Sequence, residues 1–160
     1  VLDVKYEQLA AFAPESTGSK FAGVAKRTLT GSFEADNAVY ISYYLPAGAD
    51  VSGYEFKIFD TKGNLVSTNV YHEKVTNNEN GVDVTYDVYR QSVQGLAADE
   101  LGDPYVFKMI QKDTGKEWTV TASVLTYARS SISKEAEDPN RANLGRALYL
   151  YYQAAKAYFD

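Results

Sequence analysis

Val39-Tyr40-Ile41-Ser42-Tyr43-Tyr44-Leu45 is the stretch on which the fold turns. Val39, Ile41, Tyr43 and Leu45 alternate with Tyr40, Ser42 and Tyr44, and a period of two places the first set on one face of a strand. β-Branched and aromatic residues suit a pleated, half-buried surface. Working outward, Tyr54, Phe56 and Ile58 alternate with Glu55 and Lys57. Val82, Val84, Tyr86 and Val88 alternate with Asp83, Thr85, Asp87 and Tyr89, and Trp118, Val120 and Ala122 alternate with Thr119 and Thr121. Stretches 21–34, 65–74 and 105–112 also read as strands. Gly63 in the run 59–65 and Gly115 in 112–116 mark hairpin turns, and 77–81 reads as a polar loop ending in Gly81. About seven short strands with such punctuation predict an antiparallel β-sandwich over 21–122, Ig-like in general architecture.

Beyond Ala122 the period becomes helical. Ser123 is placed to cap a helix over 123–134, with Val124, Tyr127, Ala128, Ser131 and Ile132 on one face. Asp138-Pro139 reads as a cap followed by proline at the first helical position, opening a helix over 138–159. Its apolar stripe, Leu144, Leu148, Tyr151, Ala155 and Tyr158 or Phe159, is expected to pack on the domain, with Tyr149 and Tyr152 on the outer side. The class is therefore mostly β with C-terminal helices (α+β). Gly95 to Pro104 reads as a short helical turn. Residues 1–20, with Pro14, Ser16, Thr17, Gly18 and Ser19, read as an N-terminal segment or linker ahead of a single domain over 21–160. A chain that starts at Val1 reads as a mature or excised segment.

Composition narrows the function classes. Of 160 residues, 45% are hydrophobic and 23% charged, a globular balance that excludes a disordered tail. Lys plus Arg number 16 and Asp plus Glu 21, a net −5 that disfavours nucleic acid as a partner. No apolar run approaches the ~20 residues of a membrane span, so membrane insertion is not expected. Cys is absent and His72 is the one histidine, which removes thiol catalysis and multi-histidine metal sites. Fourteen tyrosines suit an extracellular β-rich domain, each ring packed and its hydroxyl wet.

The run Gly95-Leu96-Ala97-Ala98-Asp99-Glu100-Leu101-Gly102-Asp103 precedes a strand hairpin. Thr121-Ala122-Ser123-Val124-Leu125-Thr126-Tyr127-Ala128 follows it, and the chain closes with Leu148-Tyr149-Leu150-Tyr151-Tyr152-Gln153-Ala154-Ala155-Lys156-Ala157-Tyr158-Phe159. This order, over about residues 90–160, resembles a recurring module of large secreted or wall-attached multimodular proteins of gut Firmicutes, the clostridial and ruminococcal kind. There it stands beside dockerins, carbohydrate-binding modules and adhesin-like domains. The resemblance rests on packing motifs and brings no catalytic residues. It implies a non-catalytic module at the bacterial cell surface or in the secreted fraction, whose partners are neighbouring modules of the same polypeptide.

Candidate sites follow from the residues. A Ser-His-Asp triad would have to use His72, whose neighbour Glu73 points to the opposite strand face, so His72 reads as a rim histidine. Asp99, Glu100 and Asp103 are one local cluster of carboxylates, and Glu135, Glu137 and Asp138 another. Neither is the pair facing across a cleft that a glycosidase needs. No enzyme and no cofactor are expected. Calcium is weighed at 60–64 and 77–80, where turn chemistry accounts for the oxygen-bearing side chains. Exposed aromatics are the natural platform for a sugar ring, and the candidates are Trp118, Tyr40, Tyr44, Tyr149 and Tyr152. Two readings result: a structural or interaction module, and a carbohydrate-binding module for starch or plant polysaccharide. Coplanar aromatics beside polar side chains on one face would favour the second.

Overall fold

A computed structural model describes residues 1–34 and 36–159. Two antiparallel sheets face each other and helices close one end. The strands are β1 (Glu15–Thr17), β2 (Lys26–Ser32), β3 (Ala38–Pro46), β4 (Tyr54–Asp60), β5 (Leu65–Ser67), β6 (Tyr71–Glu79), β7 (Val82–Val93), β8 (Tyr105–Gln111) and β9 (Glu117–Ala122). One sheet has the order β1-β9-β8-β4-β5 and the other β2-β3-β7-β6. The helices are α1 (Val124–Ser133) and α2 (Pro139–Phe159), with 3-10 turns at Tyr6–Phe12 and Ala98–Glu100.

The described residues hold nine strands, where the alternation predicts about seven. The predicted strand over 65–74 is two, because the chain leaves one sheet after Ser67 and enters the other at Tyr71. β1 is the other addition, three exposed polar residues with no apolar signal, paired to Thr119–Thr121 of β9. The predicted loop over 77–81 is mostly strand: β6 continues to Glu79 and only Asn80-Gly81 turn, both at positive φ (54° and 84°). Two such residues make the hairpin turn that matches strand twist.

Residues 1–20 are also more than a linker. Val4 and Leu9 are buried in the common core, and Arg146 Nε of α2 donates to the Val4 carbonyl at 2.8 Å. Leu2 N donates to Asn143 Oδ1 at 3.0 Å. The first turn and the last helix therefore stabilise each other across almost the whole chain.

Between the sheets lie Val39, Ile41, Tyr43 and Leu45 of β3, Phe56 and Ile58 of β4, Phe107 and Met109 of β8, and Trp118 and Val120 of β9. The β3 and β4 faces are those that alternation marks. β7 departs from that pattern. Its inward residues are Asp87, Tyr89, Gln91 and Val93, while Val82 is exposed and Tyr86 and Val88 belong to the outer face. Gln91 can be buried because its needs are met: Oε1 accepts from Tyr43 Oη at 2.7 Å, and Nε2 donates to the Lys57 and Lys108 carbonyls of the opposite sheet. A buried amide so satisfied links the two sheets at their centre.

Ser123 caps α1 as expected, its Oγ accepting from Thr126 N at 3.2 Å, and Asp138 Oδ1 accepts from Arg141 N at 3.0 Å at the start of α2. The face that α2 buries is the expected one only in part: Ala155 is buried and Leu148 packs on the core, but the rest of the expected stripe is not docked. Ala142, Gly145, Arg146 and Tyr149 are buried, whereas Leu144, Tyr151, Tyr158 and Phe159 are exposed. Size decides this. A Cβ on Gly145 would stand 3.0 Å from the Ala128 carbonyl, so Gly145 and Ala142 let α2 approach α1 closely. Arg146 is admitted because Val4 O and Glu135 Oε1 (2.9 Å) receive its guanidinium.

Candidate functional site

The outer face of the β2-β3-β7-β6 sheet collects the side chains that stand opposite the core set. Registers align Lys26, Tyr44, Val88 and Glu73 in one row and Thr28, Ser42, Arg90 and Tyr71 in the next. Tyr86 pairs with Pro46 and Val75, and Tyr40 with Thr30 and Ser92. Four tyrosines, Tyr40, Tyr44, Tyr71 and Tyr86, therefore share one side of the sheet, above the buried Ser42 and Val88. Tyr71 is exposed and the other three are half-buried.

Their polar neighbours hold them in place. The Arg90 guanidinium lies 5.3 Å from the Tyr40 ring centroid, donates to Ser42 Oγ at 3.2 Å and pairs with Glu73 at 3.2 Å. Lys26 Nζ sits 4.7 Å over Tyr44 and 5.7 Å from Tyr86. Tyr44 and Tyr86 meet edge to face, centroids 5.6 Å apart and planes at 81°. Tyr86 Oη donates to the Glu79 carboxylate, and that carboxylate raises the phenol above its ordinary value. A cation over a ring is worth about 0.5–1 kcal/mol at an exposed site, so Lys26 and Arg90 organise the face without locking it.

The other aromatic candidates lie elsewhere. Trp118 is a core residue, edge-on to Tyr43 at 5.9 Å, with the Arg27 guanidinium 4.1 Å over its ring. Tyr149 is buried and Tyr152 half-buried, both edge-on to Phe12, so neither forms the expected outer patch. Tyr152 Oη also occupies the space that a Cβ on Gly102 would need. Of the five candidates, Tyr40 and Tyr44 stand on the shared face. Tyr71, Tyr86, Arg90 and Lys26 were not singled out from the sequence. Their signal was parity across paired strands, readable only once register is known.

A second cluster closes the edge of the same sheet from inside. Asp87, almost fully buried, accepts from Gly48 N at 2.6 Å, His72 Nε2 at 2.8 Å and Lys74 Nζ at 3.0 Å. The Gly48 amide first, then His72 and Lys74, hold its carboxyl far below the usual range. His72 is half-exposed and stacks on Tyr89, centroids 4.4 Å apart and planes at 5°. It is a rim histidine, as expected, and its carboxylate partner comes from across the strand pair. The arrangement pins the 46–50 loop to β6 and β7.

Concave features are modest. A cleft of about 560 Å³ is lined by Gly18, Phe21, Tyr54, Gln111 and Glu117, and Lys108 holds Glu117 at 2.8 Å. In the loops weighed for calcium, Asp60 accepts from Lys62 N, Asn64 N and Asn64 Nδ2, and Asn78 bonds Gly81 N and Asp83. Those oxygens serve the turns themselves. Compared with known protein families, curated proteins and solved structures, the chain gives no match.

Proposed function

We propose that this domain is a non-catalytic structural and interaction module of a secreted or cell-surface multidomain bacterial protein, docking or presenting neighbouring domains of the same polypeptide. The observation that carries the reading is the outer sheet face with Tyr40, Tyr44, Tyr71 and Tyr86 set among Lys26, Arg90 and Glu73. Tyr and Arg are the residues enriched where proteins meet, because they bring large contact area at low entropy cost. An open sheet face suits a broad partner, whereas a small molecule asks for a concave site.

The strand order supports an immunoglobulin-like architecture. β2-β3-β7-β6 against β4-β8-β9 follows the connectivity of the ABED and CFG sheets, with β1 and β5 as added edge strands. With no cysteine, the inter-sheet link at the centre is Gln91 in place of a disulfide. Such sandwiches serve widely as surface modules, and that part of the reading is an analogy of fold.

A carbohydrate-binding role for starch or plant polysaccharide is the competing reading, and it would use the same tyrosines. Crossed rings already covered by cations suit sugar stacking less well than coplanar bare ones. Hydroxyl-radical footprinting tests the first reading. In the longer polypeptide, Tyr40, Tyr44, Tyr71 and Tyr86 are expected to be protected relative to the isolated domain, and equal labelling would contradict docking. Affinity electrophoresis in gels of soluble starch or xylan tests the second. Unchanged mobility is expected, and retardation abolished by Tyr86→Ala would favour the sugar.

A further inference from the structure

We propose that α2 pairs with α2 of a second copy of this chain, in antiparallel orientation, through the face it turns away from the domain. Leu144, Ala147, Tyr151, Ala154 and Tyr158 recur at the alternating four- and three-residue spacing of a coiled-coil seam, and all five are exposed. Leu144 is 46% exposed, Tyr151 58% and Tyr158 83%. Leu150 and Ala157 widen the stripe on one side, and both are exposed as well. Between Ala147 and Phe159 the only charged residue is Lys156. A solvent-facing helix surface is ordinarily charged, so α2 is apolar on two opposite faces and docks only one of them.

The pattern within the seam selects the occupant. Large residues fill one seam position (Leu144, Tyr151, Tyr158) and alanine the other (Ala147, Ala154). In parallel pairing, large would meet large in one layer and alanine would meet alanine in the next. In antiparallel pairing the two positions face each other, so each tyrosine of one copy lies against an alanine of the other. The surface is then its own complement, as a two-fold contact between identical chains requires. A full aromatic side chain carries ~150–250 Å², and with Tyr151 58% and Tyr158 83% exposed the stripe amounts to roughly 300–500 Å² per copy. Under ~1,200 Å² in total is the size of a weak, reversible contact.

Sedimentation equilibrium of the purified domain tests this. The expected result is a reversible species of twice the 17.7 kDa chain mass, formed with a micromolar dissociation constant (~1–100 μM). Tyr151→Glu is expected to raise that constant at least about 100-fold, with the circular dichroism of the folded chain unchanged. Ala154→Leu is expected to weaken association too, because it fills the space that the opposing tyrosine needs. If Tyr151→Glu does not fold, Tyr158→Glu beside the helix end gives the same reading. A monomer at every concentration up to roughly 1 mM would overturn the proposal. So would a dimer indifferent to both glutamates, and a dimer tightened by Ala154→Leu would overturn the antiparallel arrangement.

Discussion

The strands and the last helix obey different rules of burial, and the contrast shows what hydrophobic pattern can decide. In β3 and β4 the apolar parity is the buried parity, so Ile41, Tyr43, Phe56 and Ile58 lie inside as alternation predicts. In α2 large apolar residues fall on both sides: Leu148, Tyr149 and Tyr152 pack on the core with the buried Gly145 and Arg146, while Leu144, Tyr151, Tyr158 and Phe159 face solvent. A strand has two faces, and a polar partner set usually identifies one of them. A helix that is apolar on two opposite faces offers no such partner set. Shape and specific hydrogen bonds then choose the docked face, and the small residues that permit close approach say more than the large ones.

The largest effect that sharpens this contrast belongs to the sandwich. Phe107 is fully buried between the sheets, and Phe107→Ala is expected to cost about 3–5 kcal/mol through lost transfer energy and a residual cavity. That is a large part of a typical 5–15 kcal/mol total, and chemical denaturation should show most of the chain unfolded under mild conditions. A loss below about 1 kcal/mol would mean that the centre of the sandwich is not packed as described.

Arg146→Ala comes next and probes the helical end. It leaves the buried Val4 carbonyl without its donor, a cost of about 1–3 kcal/mol, and frees the first turn from α2. Hydrogen exchange should quicken at residues 6–12 ahead of the strands. Uniform quickening across both sheets would show that the two regions unfold as one.

Acid gives a smaller, directional effect. Asp87 has a folded pKa depressed below its unfolded value near 3.9. Its contribution is therefore fully present above the unfolded value, and it is lost as pH falls from about 5 toward the folded value. Asp87→Asn should flatten the stability profile in that acid window, while stability above pH 6 changes by loss of the contacts to Gly48, His72 and Lys74. An unchanged acid slope in the variant would show that other carboxylates carry it.

Much of the sandwich was legible because each signal was local. Gly63 and Gly115 mark hairpins that form, the alternation at 39–45 and 54–58 gives the inner faces, and Ser123 and Asp138 cap where they should. β7 was harder. The inward positions of Asp87 and Gln91 depend on Gly48, Lys57 and Lys108, which lie far away in sequence. β1 carries only polar residues and owes its place to pairing with β9. The tyrosine face follows the same logic: Tyr40 and Tyr44 were visible as alternate residues of one strand, whereas Tyr71 and Tyr86 join them only through strand register.

Two tyrosines of α2, two residues apart, put the central claim to the most direct test. Tyr149 is buried against Phe12 and donates to the Gln8 carbonyl at 3.3 Å, whereas Tyr151 points to solvent. Denaturant unfolding of Tyr149→Ala and Tyr151→Ala, in solution dilute enough that chains do not associate, compares identical chemical changes on opposite faces. Tyr149→Ala is expected to cost about 3 kcal/mol and Tyr151→Ala less than about 0.5 kcal/mol. Equal losses, or a larger loss at Tyr151, would contradict the docked face assigned to α2.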